Sequence, residues 1–100
     1  MRVIRITGPL TLRTLFEFQE AARQESVKPV VIDITAAPYM DSAGLGAVIS
    51  IFASCQRTMR GFGIIGVSQR IFTLFQVTHV DGLLPCFESL EAAEASIFPA

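Results

Sequence analysis

The chain has 100 residues, room for one small domain with one hydrophobic core, and 51% of them are apolar, with a mean hydropathy of +0.52. That marks a folding sequence and excludes a disordered one. Seven arginines and one lysine are scattered against nine acidic residues for a net charge of −1, which argues against nucleic acid as a partner.

RVIRI (2–6) reads as a strand with Ile4 and Ile6 on one face, ended by Gly8-Pro9. Arg2 and Arg5 interrupt the only apolar stretch at the amino terminus, so this stretch does not read as a signal peptide and a cytoplasmic protein is expected. From Leu10 to about Gln24, the residues Leu12, Leu15, Phe16 and Gln19 fall at helical spacing, while Arg13, Glu17 and Glu20 lie elsewhere on the wheel. The spacing predicts an amphipathic helix, broken at Val27 to Pro29. VVIDI (30–34) is a nearly continuous apolar strand of the kind buried on both faces of a sheet.

After the stretch APYMDSAGLGAV (36–47), the residues Leu45, Val48, Ile49, Phe52 and Met59 form a helical stripe ending near Arg60, with Gly61 as the expected C-cap residue. Arg57 and Arg60 suit the negative end of that helix dipole. The longest apolar run, Ala43 to Cys55, is too short for the about 20 residues of a bilayer span, so no membrane insertion is expected. GIIGV (63–67) is the next strand, and Ser68 can cap a helix whose face is Ile71, Leu74, Phe75 and Thr78. His79 to Pro85 is a loop with an Asp81-Gly82 turn, Cys86-Phe87 a brief strand, and Ser89 the cap of a last helix through Ile97. Strand–helix alternation of this kind predicts a single α/β domain over 1–100, with helices covering a largely parallel sheet. Cys55 and Cys86 are far apart in sequence beside a single histidine, so two buried thiols are expected and no metal site.

Asp41 and Ser42 both suit a helix start, since either side chain can accept a bond from an orphan backbone N–H. As a nucleophile Ser42 fits poorly. Met40-Asp41-Ser42-Ala43-Gly44 lacks the first glycine of G-x-S-x-G, the chain is short for a hydrolase, and a triad would rest on the lone His79 with Asp33 or Asp81. Gly44-Leu45-Gly46 is followed by Ile49 where a dinucleotide fingerprint needs a small residue, and no G-K-[ST] follows. No catalytic residue and no cofactor are therefore expected. A phosphate on Ser42 is the third reading: it would add about −1.5 to −2 charges at a helix N-terminus, beside Asp41. Glycines at 44 and 46 each cost a helix roughly 1 kcal/mol against alanine, and close approach of another backbone or surface would explain them. Ala47 and Ile51 fall off the main stripe and can leave apolar area facing a partner or a neighbouring segment.

VVIDITAAPYMDSAGLGAVIS resembles the signature of the STAS domain family, which includes bacterial anti-sigma factor antagonists and cytoplasmic domains of sulphate transporters. The matching parts are Val30 to Ile34 with Asp33, then Tyr39-Met40, then Asp41-Ser42-Ala43-Gly44-Leu45-Gly46. The segment from Gly63 onward is also similar, so the likeness runs from about residue 2 to 98. The resemblance implies an α/β STAS-like fold, with a mixed, mostly parallel sheet of about four strands and about four helices. It implies that Ser42 is phosphorylated and that Asp33, Tyr39, Met40, Asp41, Ala43, Gly44, Leu45, Gly46, Ala47 and Ile51 serve partner binding. The partners implied are a GHKL-type serine kinase that is also the anti-sigma factor, and a serine phosphatase that resets the switch. ATP and magnesium would belong to the kinase.

Two departures from the family pattern stand out. The usual strand ahead of 2–6 is missing, which leaves an open sheet edge for self-association or a partner, and Gly8-Pro9-Leu10-Thr11 replaces a glycine–acidic–leucine–aspartate segment. A structural subunit of a stressosome or of a lipid-transport ABC complex is the alternative function.

Overall fold

Among the described residues, four short strands alternate with four helices. The computed structural model describes residues 1–22 and 28–98. The elements are β1 (Arg2–Arg5), α1 (Leu15–Ala22), β2 (Val30–Asp33), α2 (Ser42–Arg57), β3 (Phe62–Ile65), α3 (Gln69–Val77), β4 (Cys86–Phe87) and α4 (Leu90–Ile97). Sheet order is β1-β2-β3-β4, with Val3 opposite Val31, Ile32 opposite Ile64 and Ile65 opposite Phe87. Every pairing is parallel, so the expected mixed sheet is wholly parallel among the described residues. Parallel pairing demands crossover segments, and the helices between strands supply them.

Strand alternation assigns the two faces of the sheet. Ile4, Val30, Ile32, Phe62 and Ile64 point to one side and pack with Leu45, Val48 and Phe52 of α2 and Ile71 and Phe75 of α3. On the other side Val31 and Ile65 meet Ala93 of α4, flanked by Val3, Leu90 and Ile97. This double cover is why VVI in β2 shows no polar alternation. Burial of one large apolar side chain contributes roughly 1.5–3 kcal/mol, and Phe75, Ile32, Ile64 and Ile71 are all essentially sealed from solvent. Ser68 and Ser89 cap α3 and α4 as expected, accepting from the N–H groups of Ile71 (3.2 Å) and Ala92 (3.1 Å).

The first helix departs from its expected limits. It starts at Leu15, not Leu10, because the preceding segment has other partners. Leu10 forms an isolated parallel bridge with Met40, and the Thr14 hydroxyl donates to the Pro9 carbonyl (2.6 Å) and accepts from the Thr11 N–H (3.0 Å). Side-chain capture of this kind competes with helix. The expected stripe also fails, since Leu12 and Phe16 are 71% and 68% exposed and Phe18 is buried instead. Phe16 and Phe18 are two positions apart, so a helix cannot bury both on one face. The side chain of Leu15 and the helix end near Gln24 lie outside the described residues.

Met59 and Gly61 also differ from expectation. The α2 stripe stops before Met59, which is 94% exposed and sits at φ 56°, the left-handed position that closes the helix. The Met59 N–H donates to the Gln56 carbonyl (3.2 Å) and the Arg60 N–H to the Cys55 carbonyl (2.8 Å), a Schellman ending in which glycine is favoured at Met59, not at 61. His79 (φ 62°) closes α3 in the same way, with Thr58 and Thr78 as the C-cap residues. Met59→Gly removes left-handed strain without losing packing. It is expected to stabilise the domain by about 0.5–1 kcal/mol, roughly 3–6 °C in thermal melting. An unchanged or lower melting temperature would contradict this. Of the two cysteines, Cys55 is buried as expected, but Cys86 is exposed, because two-residue β4 is the far edge of the sheet.

Candidate functional site

The C-terminal ends of parallel strands, with the helix N-termini that follow them, are where α/β sheets present their sites. Here that rim carries the 34–41 connection and the first turn of α2. The Ile34 N–H continues the sheet pattern to the Ile65 carbonyl (3.0 Å), and the Ala37 N–H turns back to the Ile34 carbonyl (3.0 Å). The chain then runs beside residues 10–12. The Leu10 N–H donates to the Tyr39 carbonyl and the Asp41 N–H to the Leu10 carbonyl, both at 3.1 Å.

Asp41 is the N-cap of α2, with φ −99° and ψ −179°. Its Oδ1 accepts from the Gly44 N–H (2.9 Å) and its Oδ2 from the Leu12 N–H (3.0 Å), so one carboxylate fixes both the helix start and the neighbouring connection. Ser42, the other candidate cap, is the first helical residue. It is exposed, and no hydrogen bond engages its hydroxyl among the described residues. Its position beside orphan N–H groups at the positive end of a 16-residue helix tolerates an anion.

The remaining candidates separate by burial. Tyr39 is 40% exposed and lies beneath the Arg70 guanidinium, 5.2 Å from ring centroid to Cζ, a cation–π contact from the first turn of α3. Gly46 is exposed and Ala43 half-buried. Met40, Gly44, Leu45 and Ala47, expected at a partner surface, are buried in the domain, where they position the rim. For Ala47 the cause is α1, which packs over this part of α2. Ile51 is half-buried in a cleft of about 280 Å³ between the two helices, beside Phe18 and Arg57. Gly44 is explained inside the chain: a Cβ there would overlap the Leu10 carbonyl. A Cβ on Gly46 would meet nothing.

Asp33 is likewise engaged internally. It accepts from the Thr35 N–H (2.9 Å) and hydroxyl (2.6 Å), and pairs with Arg5 Nε at 3.5 Å across the β1–β2 register. Partial burial pushes its pKa up, but the Thr35 bonds and Arg5 outweigh that and hold it below the ordinary carboxylate value. The Gly44 and Leu12 amides lower that of Asp41. A depressed folded pKa means that both carboxylates stabilise the fold above their unfolded pKa, and that this is lost as pH falls through the folded values.

His79 and Asp81 follow the C-terminal end of α3, at the rim of the sheet opposite to Ser42. The residues considered for a Ser–His–Asp arrangement are therefore not brought together. Sequence reading also missed three contributors: Arg70, Thr35 and Leu12. Each acts through a contact whose partner the local pattern does not reveal, although Thr35 two residues after Asp33 is a recognisable turn signal.

Comparisons with known proteins bear on the family and the fold. An anti-sigma-B factor antagonist of Staphylococcus epidermidis is 31% identical over 91 residues, covering 88% of this chain and 84% of its own length. Among solved structures, an anti-sigma factor antagonist from Mycobacterium paratuberculosis superposes with a TM-score of 0.81 at 19% identity, covering 95% of this chain and 83% of that one. A sulfate transporter family protein from Wolinella succinogenes gives 0.77 at 17% identity, covering 96% and 83%. No helix of the described residues is long and apolar enough to cross a membrane. Residues 1–93 match the STAS domain itself, and with the parallel sheet and the exposed serine opening α2 in place, this chain belongs to the STAS domain family.

Proposed function

We propose that the protein is an anti-sigma factor antagonist, a binding module that captures a GHKL-type serine kinase acting as anti-sigma factor and so releases a sigma factor for transcription. Phosphorylation of Ser42 by that kinase ends the capture, and a serine phosphatase restores it. The observation that carries this reading is the division of labour at the start of α2. Asp41 does the capping, so the Ser42 hydroxyl has no structural duty and faces solvent. The names of the staphylococcal relatives support the same assignment.

The chemistry follows from charge. The unmodified rim presents a neutral hydroxyl, a bare Gly46 backbone and the Tyr39 ring, all compatible with a close protein contact. A phosphate would bring about −1.5 to −2 charges to a surface that must shed water to bind, next to the Asp41 carboxylate. The reading assigns the chain no catalysis of its own and no cofactor; nucleotide and magnesium come with the kinase. β1 pairs with β2 alone among the described strands, but Arg2 and Arg5 on this edge discourage edge-to-edge pairing, so self-association there has no part in the reading.

The test is incubation of the purified protein with the GHKL-type anti-sigma kinase of the same cell and ATP, followed by intact-mass measurement. One phosphate per chain is expected, with none on Ser42→Ala. Full labelling of Ser42→Ala would move the acceptor elsewhere.

A further inference from the structure

Two helices open on the rim that carries Ser42. The strands β2 and β3 are parallel neighbours, and α2 and α3, which follow them, pack on the same face of the sheet. The first turn of α3 contributes Arg70, whose Cζ stands 5.2 Å from the centroid of the Tyr39 ring. Tyr39 belongs to the stretch that runs directly into Ser42, and Leu10 fixes its carbonyl and the Asp41 N–H at 3.1 Å. Arg70 is thus held against the approach to Ser42. A guanidinium over a ring is attracted through its charge, and its N–H donors stay available for an acceptor. No carboxylate takes those donors among the described residues, since Asp33 pairs with Arg5 and Asp41 accepts from the Gly44 and Leu12 amides. The function described so far leaves this cation unused.

We propose that Arg70 is the internal receptor of the Ser42 phosphate, its guanidinium seated on Tyr39 and donating to the phosphate oxygens once the serine is modified. This rests on the function proposed above and adds a device that holds the modified state. Guanidinium and phosphate match as a fork of donors and a pair of acceptors, among the strongest hydrogen bonds a protein makes. The orphan N–H groups of α2 face the phosphate from its own helix, and Arg70 answers it from the neighbouring one. Both offset the repulsion from Asp41. The stabilisation belongs to the free domain, because a kinase covering this rim must break the clamped pair or desolvate it. Arg13, which follows the Leu12 held by Asp41, is the competing exposed cation. No contact among the described residues fixes its side chain, whereas Tyr39 fixes that of Arg70.

The test reads the second ionisation of the phosphate, which lies at about pH 6 in an unperturbed phosphoserine. The full chain is made with phosphoserine inserted at position 42 during translation, and the phosphate is titrated by phosphorus NMR. A nearby guanidinium favours the dianion, so the pKa in the otherwise wild-type chain is expected to lie at least roughly half a unit below that in Arg70→Gln. Arg13→Gln should leave it unchanged. Arg70→Lys, which keeps a charge but loses the fork, should fall between the two, and it gives the same reading if Arg70→Gln melts early. In thermal melting, Arg70→Gln should cost the phosphorylated chain about 4 °C more than it costs the unmodified chain. Equal pKa values in the wild-type and Arg70→Gln chains, or a larger rise in Arg13→Gln, would overturn the clamp. Because no kinase is used, that result would leave the proposed function standing. A lowered pKa that Arg70→Gln abolishes, in a protein whose kinase never labels Ser42, would support the clamp and overturn that function.

Discussion

Gly44→Ala is expected to destabilise the domain by about 3 kcal/mol, roughly 15 °C in thermal melting for a chain of this size. Helix propensity alone would give the opposite sign, since alanine is favoured over glycine by about 1 kcal/mol inside a helix. The clash wins because the atom in the way is the Leu10 carbonyl, which cannot rotate aside as a side chain would. To make room, residues 10–12 must move off residues 39–41, losing the two bonds at 3.1 Å that join Leu10 to Tyr39 and Asp41. Gly46→Ala is the matched control. It has open space around it and should follow propensity, gaining up to about 1 kcal/mol, while its methyl group weakens kinase binding at the face. Equal melting shifts for the two variants would show that the close approach of Leu10 is not what selects glycine at 44.

Ser42→Asp is expected to weaken kinase binding by about 3 kcal/mol, roughly a hundredfold, with little change in stability. The carboxylate sits at the positive end of α2, where the free domain accommodates an anion, so the fold does not suffer. In the complex the same charge loses water beside Asp41, whose carboxylate is already committed to the Gly44 and Leu12 amides and cannot relax away cheaply. Ser42→Ala should bind within about threefold of wild type, since a small interfacial hydroxyl contributes little by itself. Titration of both variants against the kinase checks the pair, and equal affinities for Ser42→Asp and Ser42→Ala would contradict the electrostatic switch.

Much of this fold was legible because local signals agreed with one another. The apolar run of Val30 to Ile32 needed cover on both faces and has it, and Ser68 and Ser89 announced the helices they cap. The misreadings cluster where a long-range contact overrode the pattern. Leu12 and Phe16 fit a helical stripe, yet Leu10 is taken by Met40 and Phe18 by the core, which turns the other two outward. Met59 continued the α2 stripe on paper, but the helix ends by placing it, and not Gly61, in the left-handed position. At the site, the motif falls where it was expected in the fold, with Asp41 and Ser42 at the start of α2. It could not say which glycine serves the fold and which stays bare, because that depends on Leu10, more than 30 positions away in sequence. Nor could it say that Asp41 rather than Ser42 caps the helix, since either residue suits the position until the Leu12 amide is seen to hold Asp41 in place.

The most direct test compares one protein in two states against one partner. The unmodified protein and its Ser42-phosphorylated form, separated after kinase treatment and verified by mass, are titrated into the GHKL-type anti-sigma kinase by calorimetry. Tight binding of the unmodified form and at least roughly a hundredfold weaker binding of the phosphorylated form are expected, since the phosphate carries more charge than an aspartate. Equal affinity of the two forms would contradict a binding module switched at Ser42.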